Sequence, residues 1–206
     1  INSTIANNII ITQGGNGYGI IQSNSSNFIY SNNITALGSS GYGTFLKQNS
    51  NNNQFYSNII TTNGSTGFGV YINASSNNSV YNNTITANGV TGIGVYINNG
   101  SNNSVYGNTI NTTGSQGHGA YLYSSSNNTI YSNTITTTQI QGYGAYLDWK
   151  STNNQLYSNT IITTANFGVG TYVSSSSNNT IYSNTITTSG QYAYATELVS
   201  NSNSNQ

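Results

Sequence analysis

The sequence predicts an all-β fold: a single-stack parallel β-solenoid of about eight coils, each of about 25 residues. Three observations carry this. A near-repeat fills the chain, and the run SSSNNTIYSNTITT stands at Ser124–Thr137 and again, unchanged, at Ser175–Thr188. Equivalent positions in the copies line up in columns of fixed chemical character. The short stretches between turn-forming residues alternate apolar with polar, as half-buried strands do, and none shows a helical period of useful length. A repeat this short cannot bury its apolar side alone, so it must stack on its neighbours.

The columns define the elements in order. The first strand of each copy centres on an apolar position: Ile5, Ile29, Phe55, Val80, Val105, Ile130, Leu156, Ile181. Three residues on comes an invariant asparagine: Asn8, Asn32, Asn58, Asn83, Asn108, Asn133, Asn159, Asn184. A second strand follows around Ile10, Ile34, Ile60, Ile85, Ile110, Ile135, Ile161 and Ile186. The third strand carries Leu46, Ile72, Ile97, Leu122, Leu147, Val173 and Leu198, with Gln22 as the departure. Asn, Ser and Gly sit between strands, where corners need turn formers and left-handed backbone. Parallel stacking puts equivalent residues about 4.8 Å apart, and identical asparagines at that spacing form an amide ladder. Eight such coils make a rod roughly 35–40 Å long. The domain reading is one β-helix over residues 1–199 and a polar tail over 200–206.

Composition narrows function by exclusion. The 206 residues include two Lys, one Asp, one Glu, one His and no Arg, Cys, Met or Pro, and asparagine alone makes up about a fifth of the chain. No disulfide or thiol chemistry is available. A neutral chain without a basic patch lacks what holds phosphates, so no nucleic-acid partner is expected. No apolar run of about 20 residues exists to insert in a membrane. The 12% aromatic content, 18 tyrosines included, with almost no charge, is the reverse of a disordered composition. The first residue is Ile1 rather than Met, which predicts a processed form or a fragment.

The segment GHGAYLYSSSNNTIYSNTITT at Gly117–Thr137 resembles the right-handed parallel β-helix repeat of the carbohydrate-binding and sugar-hydrolase type, found in secreted microbial and archaeal surface proteins. The resemblance covers nearly the whole chain and implies the handedness. It says little about activity, because the same coil serves lyases, adhesins and structural proteins.

Catalytic machinery is not expected. Enzymes with this repeat use clustered carboxylates, often with Ca²⁺ and a basic residue, and glycoside hydrolysis usually takes a carboxylate pair. Here Asp148 and Glu197 stand about two coils apart, roughly 10 Å along the axis. A Ca²⁺ site with one carboxylate is weak, and copper would need clustered His, Met or Cys. No cofactor or metal is expected. His118 falls in a variable column with Tyr18, Tyr42, Phe68, Ile93, Tyr143, Val169 and Tyr194, and reads as one more ring. The segment Tyr146–Lys150 holds the single Trp and Asp; it reads as a loop with a weak surface ion pair rather than a sugar-stacking spot. The Gly-x-Gly pairs such as Gly142 and Gly144 lack the Lys and helix of a phosphate loop and read as corners.

Three surface features remain. Tyr30, Tyr56, Tyr81, Tyr106, Tyr131, Tyr157 and Tyr182 should form an outward stripe, and Phe45, Tyr71, Tyr96, Tyr121, Tyr146 and Tyr172 a second, suited to another chain or a sugar. Asn-x-Ser/Thr acceptors for N-glycosylation include Asn24, Asn33, Asn63, Asn73, Asn77, Asn82, Asn99, Asn102, Asn111, Asn127 and Asn178; glycans would hydrate a chain without charge repulsion. Thr84/Thr86, Thr134/Thr136 and Thr185/Thr187 suggest an ice-binding array, which Ile9/Ile11 and Thr160/Ile162 interrupt.

No cap is visible at either end of the repeat, and bare solenoid ends expose strand edges and core. The sequence therefore predicts a non-enzymatic, extracellular or cell-surface structural protein that stacks head-to-tail on other copies into a filament or sheath and carries N-linked glycans. The residues expected to join the ends are Ile5, Ile10 and Ile20 on one side, and Ile186, Tyr194 and Leu198 on the other. The alternative is an adhesin or stalk module that binds glycans through its tyrosine stripes.

Overall fold

Each coil folds as three short strands because its sequence offers three alternating stretches joined by corners that asparagine and serine can turn. The computed structural model describes residues 3–206. Its fourth coil is representative, with strands Ser79–Tyr81, Thr84–Ala87 and Ile93–Asn98. The corner after the first strand uses left-handed backbone, as at Asn82 (φ 54°) and Gly107 (φ 64°). Asparagine and glycine adopt this region at low cost. A second left-handed corner precedes the first strand, at Asn52, Asn77, Asn102, Asn127, Asn153 and Asn178.

Like strands of successive coils form three parallel sheets of eight strands, each in coil order. The register is unshifted: Val80 pairs with Val105, Ile85 with Ile110, and Ile97 with Leu122. A slip of one residue would turn every apolar column outward, so the alternation itself fixes the register. Inward residues of the three sheets meet in one continuous core running from Ile20 to Val173, with Ile5, Ile10, Ile181 and Ile186 packed against it at the two ends. Gln22, the polar departure, is buried at 6% exposure and its Oε1 has no hydrogen-bond partner.

The asparagine column is a ladder, as expected. Asn108 is typical: its Nδ2 donates to Asn133 Oδ1 (2.9 Å), Val80 O (2.9 Å) and Tyr106 O (3.1 Å). Its Oδ1 accepts from the backbone N–H (2.9 Å) and Nδ2 (3.0 Å) of Asn83. The structure adds a second ladder that the column reading missed, through Asn27, Asn53, Asn78, Asn103, Asn128, Asn154, Asn179 and Asn205. Residues 200–206 begin a further rung, with Asn205 in this ladder and the Gln206 N–H donating to Asn179 O (2.9 Å).

Glycine is required where the third strand starts. A Cβ on Gly119 would lie 2.1 Å from Ile135 Cγ2 and 2.5 Å from Gly144 O, and the same holds for Gly94 one coil earlier. In the last coil the column ends in Ala195.

Candidate functional site

Stacking at strand spacing turns each aromatic column into a pile of parallel rings. Tyr30 to Tyr182 stack at centroid distances of 4.9–5.1 Å without a break. Phe45, Tyr71, Tyr96, Tyr121 and Tyr146 stack at 4.6–4.9 Å on the third sheet. Ring faces within these piles are covered by the next ring, so they offer edges and hydroxyls to solvent rather than flat platforms. The second stripe is also not free, which corrects the expectation of an outward face. The column of Tyr18, Tyr42, Phe68, His118 and Tyr143 folds over it in edge-to-face contacts of 5.2–5.6 Å. Sequence spacing shows columns but not which two columns meet at a corner.

His118 stands within that overlying column, stacked on Tyr143 at 4.9 Å, and its Nδ1 accepts the Tyr143 N–H at 3.2 Å. Burial pushes the imidazole down to about 4. Folding thus favours the neutral ring, and the unfolded chain takes up the proton first. His118 contributes its full stability above pH 6.5, and that contribution is lost as pH falls towards 4. The slope is at most about 1.4 kcal/mol per pH unit. Urea melts at pH 7 and pH 5 are expected to show this loss in the protein and not in His118→Phe; an equal slope in both would refute the assignment.

Asp148 accepts the Tyr121 hydroxyl (3.1 Å) and the Trp149 N–H (2.8 Å). It makes these bonds rather than the ion pair with Lys150 that the sequence suggests; Lys150 Nζ lies 5.8 Å from the Trp149 ring centroid. Burial, then the Asp148 carboxylate, pushes the Tyr121 and Tyr146 hydroxyls far up, so both remain donors. In strand register Glu197 pairs with Tyr172, and Asp148 with Ser174. The two carboxylates' backbone positions are therefore two rungs and two residues apart, roughly 12 Å by strand geometry. Among the described residues no three of His, Cys, Asp or Glu cluster as metal ligands.

The overlying ring column is broken twice, by Ile93 and by Val169. A groove lies at each break. One, of about 420 Å³, includes Phe68, Ile93, Tyr96, Gln116 and His118 in its lining; the other, of about 310 Å³, includes Tyr143, Val169, Tyr194 and Glu197.

The remaining sequence-derived residues are placed as follows. Of the end residues, Ile5, Ile10 and Ile186 are partly buried and Tyr194 and Leu198 are exposed, whereas Ile20, on the end strand of the third sheet, lies at 5% exposure inside the core. Among the glycosylation acceptors, Asn24, Asn33, Asn63, Asn77, Asn82, Asn99, Asn102, Asn127 and Asn178 are exposed; Asn73 and Asn111 are partly covered. Seven of the exposed ones hold left-handed corners: Asn24, Asn77, Asn82, Asn99, Asn102, Asn127 and Asn178. Backbone conformation alone accounts for asparagine there. The Thr-x-Thr positions face outward from the second sheet.

The architecture has known relatives in structure. A DFA-IIIase from Arthrobacter chlorophenolicus superposes with TM-score 0.70 at 14% identity, over 92% of this chain and 50% of that one. Two mannuronan C-5 epimerase A-modules from Azotobacter vinelandii give TM-scores of 0.66 and 0.61 at 16% and 15% identity, over 98% of this chain and 56% and 57% of theirs. All are carbohydrate-active by name, and this chain spans about half the length of each. At such identity the likeness establishes the fold alone. Comparison with curated proteins finds no match. The family model described as a right-handed β-helix region matches residues 1–161 and 91–206, and the chain belongs to that right-handed β-helix family.

Proposed function

We propose that this chain is a non-catalytic structural rod of the cell exterior that joins end to end with further copies into a filament or sheath. The observation that carries the reading is the uniform polarity of the asparagine ladder, in which each rung accepts from one neighbour and donates to the other. Within the stack, each ladder asparagine gives N–H and Nδ2 protons to the next Oδ1. Among the described residues Asn8 Oδ1 receives no such pair, while Asn184 Nδ2 donates only to Leu156 O and Tyr182 O. A rung of the same kind from a second copy would find acceptors on one face and donors on the other, and a heterologous contact of this kind propagates rather than closes. The acidic side chains are Asp148 and Glu197 alone, on strands two rungs apart, which supports the non-catalytic part, since glycoside hydrolysis typically uses a closely set carboxyl pair. The exposed asparagines would carry the N-linked glycans.

Ile186 lies at the core's last rung, and Tyr106 sits mid-rod. Concentration-dependent light scattering is expected for the protein and for Tyr106→Ser, and to be lost in Ile186→Asp. Equal behaviour of the two variants would contradict end-to-end joining. The glycan-binding alternative is narrowed by the covered ring faces to the break at Ile93, since at the other break Tyr172 stacks on Tyr143.

A further inference from the structure

The overlying column repeats a ring at every rung except two. Tyr18, Tyr42 and Phe68 stack at 5.0 and 4.8 Å, and His118 on Tyr143 at 4.9 Å. Between Phe68 and His118 stands Ile93, which is 6% exposed and ends short of where a tyrosine ring would reach. The two rings are two rungs apart, roughly 10 Å. Each has one face without a ring partner among the described residues.

We propose that this notch is a binding slot for the pyranose ring of a neutral sugar, which takes the place of the missing rung. A ring set midway meets a face on each side at the spacing the column already uses, over the aliphatic floor of Ile93. The chemical class follows from walls and rim. A pyranose has apolar C–H faces and a girdle of hydroxyls, which need apolar walls and a polar edge. The carboxamides of Gln116 and Gln141 are exposed at this groove, and no side-chain hydrogen bond of theirs is formed among the described residues. A flat aromatic ligand would leave both unused. No Lys or Arg lines the groove, and the carboxylate near it, Asp148, is bonded to the lining residue Tyr121. A uronate would bring like charge to this carboxylate with no cation to offset it. The break at Val169 differs: Tyr172 stacks on Tyr143 there at 4.6 Å and covers its face, and Glu197 stands in the wall. The slot is formed within one chain and does not depend on assembly.

The test uses NMR titration of the purified chain with neutral glucose, galactose and mannose oligosaccharides, with oligogalacturonate and indole as controls. Neutral sugars are expected to bind with a Kd of about 1 mM or tighter and to shift the His118 imidazole signals. Ile93→Tyr restores the ring that Tyr18, Tyr42, Tyr143 and Tyr194 supply in other coils, so the fold tolerates it by analogy. It should weaken this binding at least tenfold. Ile93→Val should retain it, and Gln116→Ala should weaken it severalfold. Absence of binding by every neutral sugar would overturn the proposal. So would tighter binding of uronate or indole, or unchanged affinity in Ile93→Tyr. Should Ile93→Tyr fail to fold, the imidazole shifts in the unaltered protein and the Gln116→Ala effect decide the question.

Discussion

Replacing Asn108 by alanine is expected to destabilise the protein by about 3–5 kcal/mol, as an order of magnitude. The side chain is 1% exposed and makes five hydrogen bonds, three through Nδ2 and two through Oδ1. Alanine removes them all and leaves the Asn83 N–H in the interior without an acceptor. A buried donor left unpaired costs more than the average hydrogen bond contributes. The neighbouring corner residue Gly107 is exposed and left-handed, so Gly107→Asn should change stability by no more than about 0.5 kcal/mol. Urea denaturation of both variants checks this; a similar midpoint shift in the two would mean that the ladder is ornamental.

Gly119→Ala is expected to be comparably severe for a different reason. The added Cβ would fall 2.1 Å from Ile135 Cγ2 and 2.5 Å from a backbone oxygen, Gly144 O. The carbonyl belongs to the next rung of the same sheet and cannot move without opening the stack. Overpacking a rigid site costs typically about 1–3 kcal/mol and occasionally more. Ala195 occupies this column in the last coil, so Ala195→Gly should be close to neutral. Thermal melts of the two variants measure the contrast, and a tolerated Gly119→Ala would show that the third sheet is looser than drawn.

Much of the fold was legible in the sequence because a parallel stack converts repetition directly into contact. The isoleucine column from Ile10 to Ile186 could face only inward, and the column of Asn108 could persist through every coil only as a ladder. The second ladder, Asn27 to Asn205, escaped notice because it lies beside the corner asparagines of the SNN and NN doublets, and composition does not tell an inward amide from a left-handed corner. In Asn127–Asn128 the first turns the chain and the second fills the ladder. The surface was less legible. Tyr96 and Tyr121 alternate correctly for an outward face, but the column of Phe68 and His118 folds over them from the preceding corner. Periodicity gives the rung and the face; it does not give the direction a corner side chain takes. Ile93 read as one variable residue, and its meaning as a missing ring appeared only once Phe68 and His118 were seen to face each other across it.

On the proposed reading the ladders and the unshifted register carry on between copies: the rod should continue across chains as it does within one. High ionic strength should not break such a joint, because it rests on amides and apolar contact rather than on charge. Electron cryomicroscopy of the native material tests this most directly. The result expected is long filaments with a rung spacing of about 4.8 Å that runs unbroken through every subunit boundary, with the asparagine ladder carried on from one copy into the next. Discrete short rods, or filaments whose subunits touch through the tyrosine face rather than the ends, would contradict it.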